Sequence, residues 1–125
     1  MDTFSYKKES GTKNIVHTET INGRRIVITF TEQNPYSSTP RLSKNYFCGY
    51  VEVTPDEYNA DLYTESSTIE CHGYITYQGI VDDTMYIGFD CHGIGDTPEV
   101  YNKEYCIEQC KSIIKQLENS DTGTG

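Results

Sequence analysis

The sequence contains no tryptophan and no apolar run of the length that a membrane-spanning helix requires. Residues 1–6 also lack the apolar segment of a secretory signal, so we expect the chain to act in the cytoplasm. Its aromatic surface comes from eleven tyrosines and four phenylalanines, and tyrosine tolerates half-buried positions because its hydroxyl can stay hydrated. A chain of 125 residues is long enough to bury the core of one domain.

A disulfide framework is also missing. The five cysteines are an odd number, and without an export signal they are expected to be reduced thiols. Cys106 and Cys110 are one helical turn apart on a predicted apolar stripe that continues to Ile113 and Leu117, which favours the packing of both cysteines as small hydrophobic side chains. We expect the same of Cys48, inside a predicted strand.

Basic residues are scarce in most of the chain. Residues 1–44 carry seven basic against four acidic side chains, whereas residues 45–125 carry three against fifteen, and the net charge is −9. Such an acidic field repels nucleic acid and attracts cationic surfaces. It therefore favours a basic protein partner over direct nucleic-acid binding, although solubility alone would also explain it.

The clearest structural signal is a predicted β-hairpin. Residues 14–20 and 25–31 are rich in β-branched side chains and flank Asn22-Gly23. A type I′ turn needs positive φ at both central positions, which Asn and Gly tolerate. Residues 32–45 then contain Pro35 and Pro40 and are predicted to form a loop.

The rest of the chain predicts three further strands and one helix. The strands are expected over residues 46–53, 68–77 and 85–89, with an Asp82-Asp83 turn between the last two. An acidic exposed excursion is expected over residues 56–67, and a helix from Thr97 to about Glu118. The predicted fold is α+β, an antiparallel sheet of about five strands packed by one C-terminal helix. Residues 1–13 are predicted to be a flexible arm, 14–118 the domain and 119–125 a disordered tail.

Two Cys-His-Gly triplets, at residues 71–73 and 91–93, raise the question of a chemical site. Adjacent residues on a strand point to opposite faces, and the usual zinc-ligand spacings are missing, so we predict no metal. Cys91 could act as a nucleophile with His72 or His92 as base and Asp90 or Asp96 as orienting carboxylate. Spacing alone does not establish this pair, and we predict no catalytic residue and no cofactor. The Gly93–Asp96 turn more readily exposes amides that contact an anionic ligand.

Three segments of the chain have a recognisable pattern. They are Cys-Gly-Tyr-Val at residues 48–51, His-Gly-Tyr-Ile-Thr-Tyr at 72–77, and Gly-Phe-Asp-Cys-His-Gly-Ile-Gly-Asp at 88–96. Over residues 46–117 the order and spacing resemble a family of small proteins carried by bacteriophages and mobile elements. Tyr74, Met85 and the position of His92 depart from the family pattern. The resemblance implies a viral accessory protein acting against host defence, either by blocking a nuclease complex or by sequestering a nucleotide signal.

These observations lead to three functional hypotheses. The first is a non-enzymatic, anti-CRISPR-like inhibitor that binds a basic host effector through acids at Asp56, Glu57, Asp61, Glu65, Asp82 and Asp83. The second is a binder of a nucleotide-type signal, with a ligand pocket formed by His72, Tyr74, Asp90, Cys91, His92 and Asp96. The third is a small Cys/His hydrolase or metalloprotein built on the pocket residues.

Overall fold

Six antiparallel strands form one sheet, and a long helix packs on it. The computed structural model describes residues 4–8, 11–33, 45–59, 69, 71–72, 75–91 and 99–123. In chain order the elements are β1 (Tyr6–Lys8), β2 (Gly11–Ile21), β3 (Arg24–Gln33), β4 (Tyr46–Glu52), α1 (Pro55–Tyr58), β5 (Tyr77–Val81), β6 (Thr84–Asp90) and α2 (Lys103–Gly123). The strand order is β1-β2-β3-β4-β6-β5. The predicted α+β fold is confirmed, with β1 as a sixth, three-residue strand.

The first hairpin forms as predicted. Asn22 and Gly23 have φ values of 54° and 80°, and Ile21 pairs with Arg24 directly beside them. These left-handed conformations define the tight turn that joins β2 to β3. A bulge in β2 between Ile15 and His17 shifts the register further along.

The second hairpin corrects one predicted strand. Asp82 and Asp83 form the predicted turn, with φ values of 51° and 63°. Because a two-residue turn requires strands immediately on both sides, Val81 pairs with Thr84 and β5 occupies Tyr77–Val81. The prediction of a strand over residues 68–77 was wrong at the residues that the structure describes before Tyr77, since residues 69, 71–72 and 75–76 are outside any strand.

Two cross-strand pairs of glycine and aromatic residues join β4 to β6. Gly49 pairs with Phe89 on the face that α2 covers, and Gly88 pairs with Tyr50 on the opposite face. A Cβ atom on Gly49 would lie 2.6 Å from the Phe89 ring, and one on Gly88 would lie 2.6 Å from the Tyr50 ring. Each glycine therefore makes room for the aromatic ring of its partner strand.

The main core lies between the sheet and α2. The predicted helical stripe is confirmed: four of its members are at most 4% exposed, Cys106, Cys110, Ile113 and Leu117. They pack against alternate residues of the central strands, including Ile26, Ile28, Val51 and Ile87. Apolar burial at this interface holds the helix on the sheet.

A second, smaller cluster covers the other face of the sheet. Phe4, Val27, Cys48, Tyr50, Val81 and Tyr86 are each at most 6% exposed. Both faces of the central strands are therefore buried, as the alternation of Ile26, Val27 and Ile28 between the two clusters shows.

The ends of the chain differ from the predictions. Within the predicted flexible arm, β1 pairs with β2 and Phe4 is 4% exposed. Helix α2 begins at Lys103, later than predicted, because Asn102 caps it by accepting a hydrogen bond of 3.0 Å from the Tyr105 backbone N–H. Its backbone continues to Gly123, beyond the expected start of a disordered tail. In the part of the chain that the structure describes, no helix is long and apolar enough to cross a membrane.

Candidate functional site

The end of β4, helix α1 and the β5–β6 turn meet at one end of the sheet. The Val53 backbone N–H donates a hydrogen bond of 2.9 Å to the Met85 carbonyl, which ties the α1 segment to β6. Asp56 is exposed in the first turn of α1, and Asp82 and Asp83 are exposed in the hairpin turn. Three of the six acids predicted to bind a partner are therefore exposed at neighbouring elements.

A cleft of about 190 Å³ opens at this end. Two carboxylates and four mainly apolar side chains line it, namely Glu52, Asp83, Val53, Pro55, Thr84 and Met85. The Glu52 carboxylate also accepts a hydrogen bond of 3.0 Å from the Arg25 backbone N–H, which orients it. We call Glu52, Asp56, Asp82 and Asp83 together the acidic end.

Glu57 is a correction to the predicted partner surface. Its side chain is buried, and both carboxylate oxygens accept hydrogen bonds from Arg24, at 2.7 and 2.8 Å. Burial acts to raise the pKa of Glu57, but the hydrogen bonds and charge of Arg24 and the hydrogen bonds of Thr54 outweigh it and hold that pKa below its ordinary value. Glu57 is thus a structural residue. Asp61 and Glu65 lie outside the described residues.

Sequence reasoning missed Glu52 as a member of the acidic end. It is the last residue of β4, and its place in a predicted strand gave no sign that it would face the β5–β6 turn. Only the pairing of Glu52 with Tyr86, next to that turn, brings it to the cleft.

The predicted ligand pocket is only partly described. Tyr74, His92 and Asp96 lie outside the described residues. Among the others, Asp90 belongs to the face opposite α2, where it accepts a hydrogen bond of 3.1 Å from the Thr76 hydroxyl. Cys91 lies in the core beneath α2. Asp90 and Cys91 therefore occupy opposite faces of the sheet and do not line one pocket together.

His72 lies against the start of α2, in an aromatic group with two tyrosines. Its Nδ1 atom is 2.8 Å from the Tyr105 hydroxyl. The ring centroid is 4.7 Å from that of Tyr101 and 5.5 Å from that of Tyr105. All three side chains keep some exposed surface. The described contacts of His72 are thus with aromatic side chains. His92, the other base considered for the Cys91 thiol, lies outside the described residues.

The thiols beneath α2 are poorly suited to nucleophilic chemistry. Cys91 is 2% exposed, and its Sγ atom lies 3.9 Å from the Sγ atom of Cys106. This contact, together with burial, raises the pKa of Cys106, and burial raises that of Cys71 to about 12. Protonated thiols are weak nucleophiles and weak metal ligands. Within the described ranges, no three His, Cys, Asp or Glu side chains form a group that could hold a metal ion.

Comparison with known proteins gives no match to a protein-family model, to a curated protein or to a solved structure. The class that the molecule itself defines is an α+β domain, a six-stranded antiparallel sheet with a C-terminal helix.

Proposed function

We propose that this protein is a non-enzymatic inhibitor that binds a basic surface of a host defence effector through its acidic end. The observation that carries the proposal is the cleft beside Glu52 and Asp83, which combines carboxylates with apolar walls. A nucleic-acid-binding effector offers lysine and arginine side chains in its groove, and an acidic inhibitor can occupy that groove in place of nucleic acid.

The chemistry of the cleft fits one basic side chain of such a partner. Val53, Pro55 and Met85 offer apolar surface to the methylene stem of a lysine or arginine, and Glu52 and Asp83, which line the same cleft, offer carboxylates to its charged head. Asp56 and Asp82 are exposed nearby and add to the negative potential that steers a cationic partner.

Two independent considerations support the same proposal. The resemblance to proteins of bacteriophages and mobile elements favours an anti-defence role in the cytoplasm of a host cell. The burial of Cys91, the thiol considered as a nucleophile, favours binding over catalysis, because a nucleophile must be accessible to its substrate.

Charge reversal tests the proposal. The variant Asp82→Lys/Asp83→Lys would be compared with Glu104→Lys/Glu108→Lys, which makes the same charge change at exposed positions of α2. The probes are purified CRISPR effector nucleases free of guide RNA, with binding measured by interferometry at low and high ionic strength. We expect binding to fall sharply for the turn variant, to survive in the α2 variant and to weaken with salt. Equal binding by both variants would refute a role for the acidic end.

A second candidate function rests on the His72 group. Rings in tilted and T-shaped contact, with partial exposure, form a surface on which a nucleobase can stack. We propose as the alternative that the protein sequesters a nucleotide-type defence signal at His72, Tyr101 and Tyr105.

Thermal unfolding in the presence of cyclic nucleotides and ADP-ribose distinguishes the nucleotide-binding alternative from the inhibitor proposal. A bound nucleotide raises the melting temperature, and Tyr101→Ala removes one stacking partner and should abolish the rise. The exposed variant Val100→Ala serves as a control in the neighbouring position. No rise at millimolar nucleotide would rule the alternative out.

A further inference from the structure

Strand β5 is the outermost strand of the described sheet on the side of the acidic end. The strand order ends β4-β6-β5, and no described strand pairs with the outer side of β5. Its last residue, Val81, pairs with Thr84 across the two-residue turn. This edge strand of five residues therefore ends directly beside the carboxylates of Asp82 and Asp83.

The backbone of Ile80, on this strand, points away from the sheet. Ile80 pairs with Met85 on β6, and the Met85 carbonyl accepts a hydrogen bond of 2.9 Å from the Val53 N–H, on the side of β4. Ile80 and Met85 are therefore a pair that exchanges no backbone hydrogen bonds, and the N–H and C=O of Ile80 lie on the outer edge. The same alternation turns the backbone of Gln78 outward. Within the described ranges, no other backbone group bonds to these two residues on that side.

An exposed apolar side chain accompanies these outward backbone groups. Ile80 is 42% exposed, and its pairing places it beside Met85, which lines the acidic cleft. The Gln78 side-chain amide donates a hydrogen bond of 2.7 Å to the Tyr58 carbonyl at the end of α1. This bond and the pairing with β6 hold β5 extended, so that a strand added to it would cost the protein little conformational entropy.

The opposite edge of the sheet carries features that oppose strand addition. There β1 pairs with Gly11, Thr12 and Lys13 of β2, and a bulge follows between Ile15 and His17. Covering segments and bulges are devices that prevent pairing at an edge, whereas β5 pairs with β6 without a register shift. The net charge of −9 also repels a second copy of this chain and attracts a cationic segment.

We infer that β5 accepts an extended, basic segment of the partner protein as an added antiparallel strand. The backbone of that segment exchanges hydrogen bonds with Gln78 and Ile80, and one of its apolar side chains packs on Ile80. In antiparallel order the N-terminal end of the segment lies beside the end of β5, where a lysine or arginine reaches Asp82 and Asp83. This mode of binding rests on the proposed function, because its basic partner is the one assigned to the acidic end.

The test follows binding of the peptide acetyl-Arg-Lys-Val-Thr-Val-Thr-amide to the full chain by NMR. We expect saturable shifts at millimolar peptide, with slowed solvent exchange of the Gln78 and Ile80 amides. Ile80→Pro removes an outward N–H that the pairing with β6 does not use, and should weaken peptide binding by about tenfold or more. Thr18→Pro, at an exposed position of the other edge strand β2, should bind as the unaltered protein does. A peptide with two glutamates in place of Arg-Lys should not bind.

Changes in the peptide test the same contact without altering the protein. N-methylation of alternate residues leaves one edge of the peptide able to pair and should preserve binding, whereas N-methylation of every residue should abolish it. No saturable shift would overturn the inference, as would equal binding by Ile80→Pro or by the fully methylated peptide. A concentration-dependent dimer that Ile80→Pro abolishes would also overturn it, because the edge would then serve a second copy.

The edge and the acidic end can fail separately. If an effector nuclease binds Ile80→Pro as tightly as the unaltered protein but does not bind Asp82→Lys/Asp83→Lys, the acidic end stands and strand addition is wrong. If the peptide binds in the Ile80-dependent way and no effector binds, strand addition is supported and the effector is refuted as the partner.

Discussion

The guanidinium of Arg24 holds the carboxylate of Glu57 by two hydrogen bonds, 2.7 Å from Nη1 to Oε1 and 2.8 Å from Nη2 to Oε2. Glu57 also completes a capping box with Thr54 at the start of α1. Arg24 Nη1 donates a further bond of 3.1 Å to the Glu52 carbonyl. One ion pair thus links the β2–β3 turn to the end of β4 and to α1, two of the elements that frame the acidic cleft.

Removing the charge of Glu57 should destabilise the protein. Glu57→Gln removes the charged acceptor of both hydrogen bonds from the half-buried guanidinium of Arg24, which keeps only the half-exposed Glu118 carboxylate, 3.8 Å from its Nε atom, as an ion-pair partner. We expect a loss of about 2 kcal/mol in the free energy of unfolding. The neighbouring Asp56→Asn, at an exposed position, should change it by less than about 0.5 kcal/mol. Urea denaturation measures both, and equal effects of the two variants would contradict the structural role of Glu57.

The same ion pair predicts a dependence on pH. The pKa of Glu57 is lowered in the folded protein from its ordinary value of 4.5. The ionised carboxylate therefore contributes stability that is fully present above pH 4.5 and is lost as the pH falls through the lowered pKa of the folded state. Acid titration of the unfolding free energy should show this loss in the unaltered protein, and Glu57→Gln should lose less over the same range.

Substituting each of the two paired glycines by alanine should show whether crowding against the backbone costs more stability than crowding against a side chain. A Cβ atom on Gly88 would lie 2.6 Å from the carbonyl oxygen of Gly49, which cannot move without disturbing the strand pair. We expect Gly88→Ala to cost about 3 kcal/mol. Gly49→Ala meets the ring of Phe89 and the Cys110 thiol, so we expect a smaller cost that the second substitution Phe89→Leu partly reverses. Chemical denaturation of the three variants measures the difference; equal costs for both glycines would contradict it.

The sequence predicted the strand positions correctly where a recognisable turn joins two strands, and less well where no such turn marks the start of a strand. Asn22-Gly23 located the first hairpin because few residues tolerate positive φ at both positions. The prediction over residues 68–77 missed β5, apart from Tyr77, because β-branched and aromatic residues before Tyr77 matched a strand, while Gly79 weakened the signal for the segment that pairs. Gly79 is buried and pairs with Tyr86 on β6. A glycine is tolerated in a strand that pairs in this way, but the partner strand cannot be read from the local sequence.

A substitution in the Asp82-Asp83 turn should increase the stability of the protein. Asp83 has φ of 63°, a conformation in which glycine is unstrained, and type I′ turns favour glycine at this second position. We expect Asp83→Gly to raise the free energy of unfolding by about 0.5 kcal/mol. Asp83→Asn removes the same charge without relieving the backbone and serves as the control in thermal unfolding. If asparagine stabilises as much as glycine, repulsion between the two acids is the cause instead.

Thiol labelling should follow burial. Cys71 is half-buried and the other four thiols are buried, so iodoacetamide should modify Cys71 first in the folded protein. Because its pKa is raised to about 12, the rate should climb roughly tenfold for each pH unit through the mildly alkaline range. Mass spectrometry counts the adducts, and Cys71→Ala should leave the folded chain unmodified over the same time. Early labelling of Cys91 or Cys106 would contradict the packing of α2.

The candidate site was less accessible to sequence reasoning than the fold. Exposure of Asp56, Asp82 and Asp83 followed from their place in turns and first helical positions, but charge alone did not show that Glu57 is buried against Arg24. That contact joins residues 33 positions apart. Lys13 was assigned to a flexible arm, because nothing local indicates that its side chain crosses β3 to reach Tyr50.

The glycine and aromatic pairs between β4 and β6 also bear on how fast the chain folds. Gly49 and Phe89 are about 40 residues apart along the chain, the longest loop closed by any strand pair among the described strands. Closing it carries the largest loss of chain entropy, whereas the two hairpins form from neighbouring residues. Pairing of β4 with β6 is then expected to limit the rate at which the sheet forms. When these strands pair, the ring of Phe89 covers Gly49 and the ring of Tyr50 covers Gly88. A side chain added at Gly88 would slow refolding, and the relief of strain at Asp83 would leave the rate-limiting encounter almost unchanged.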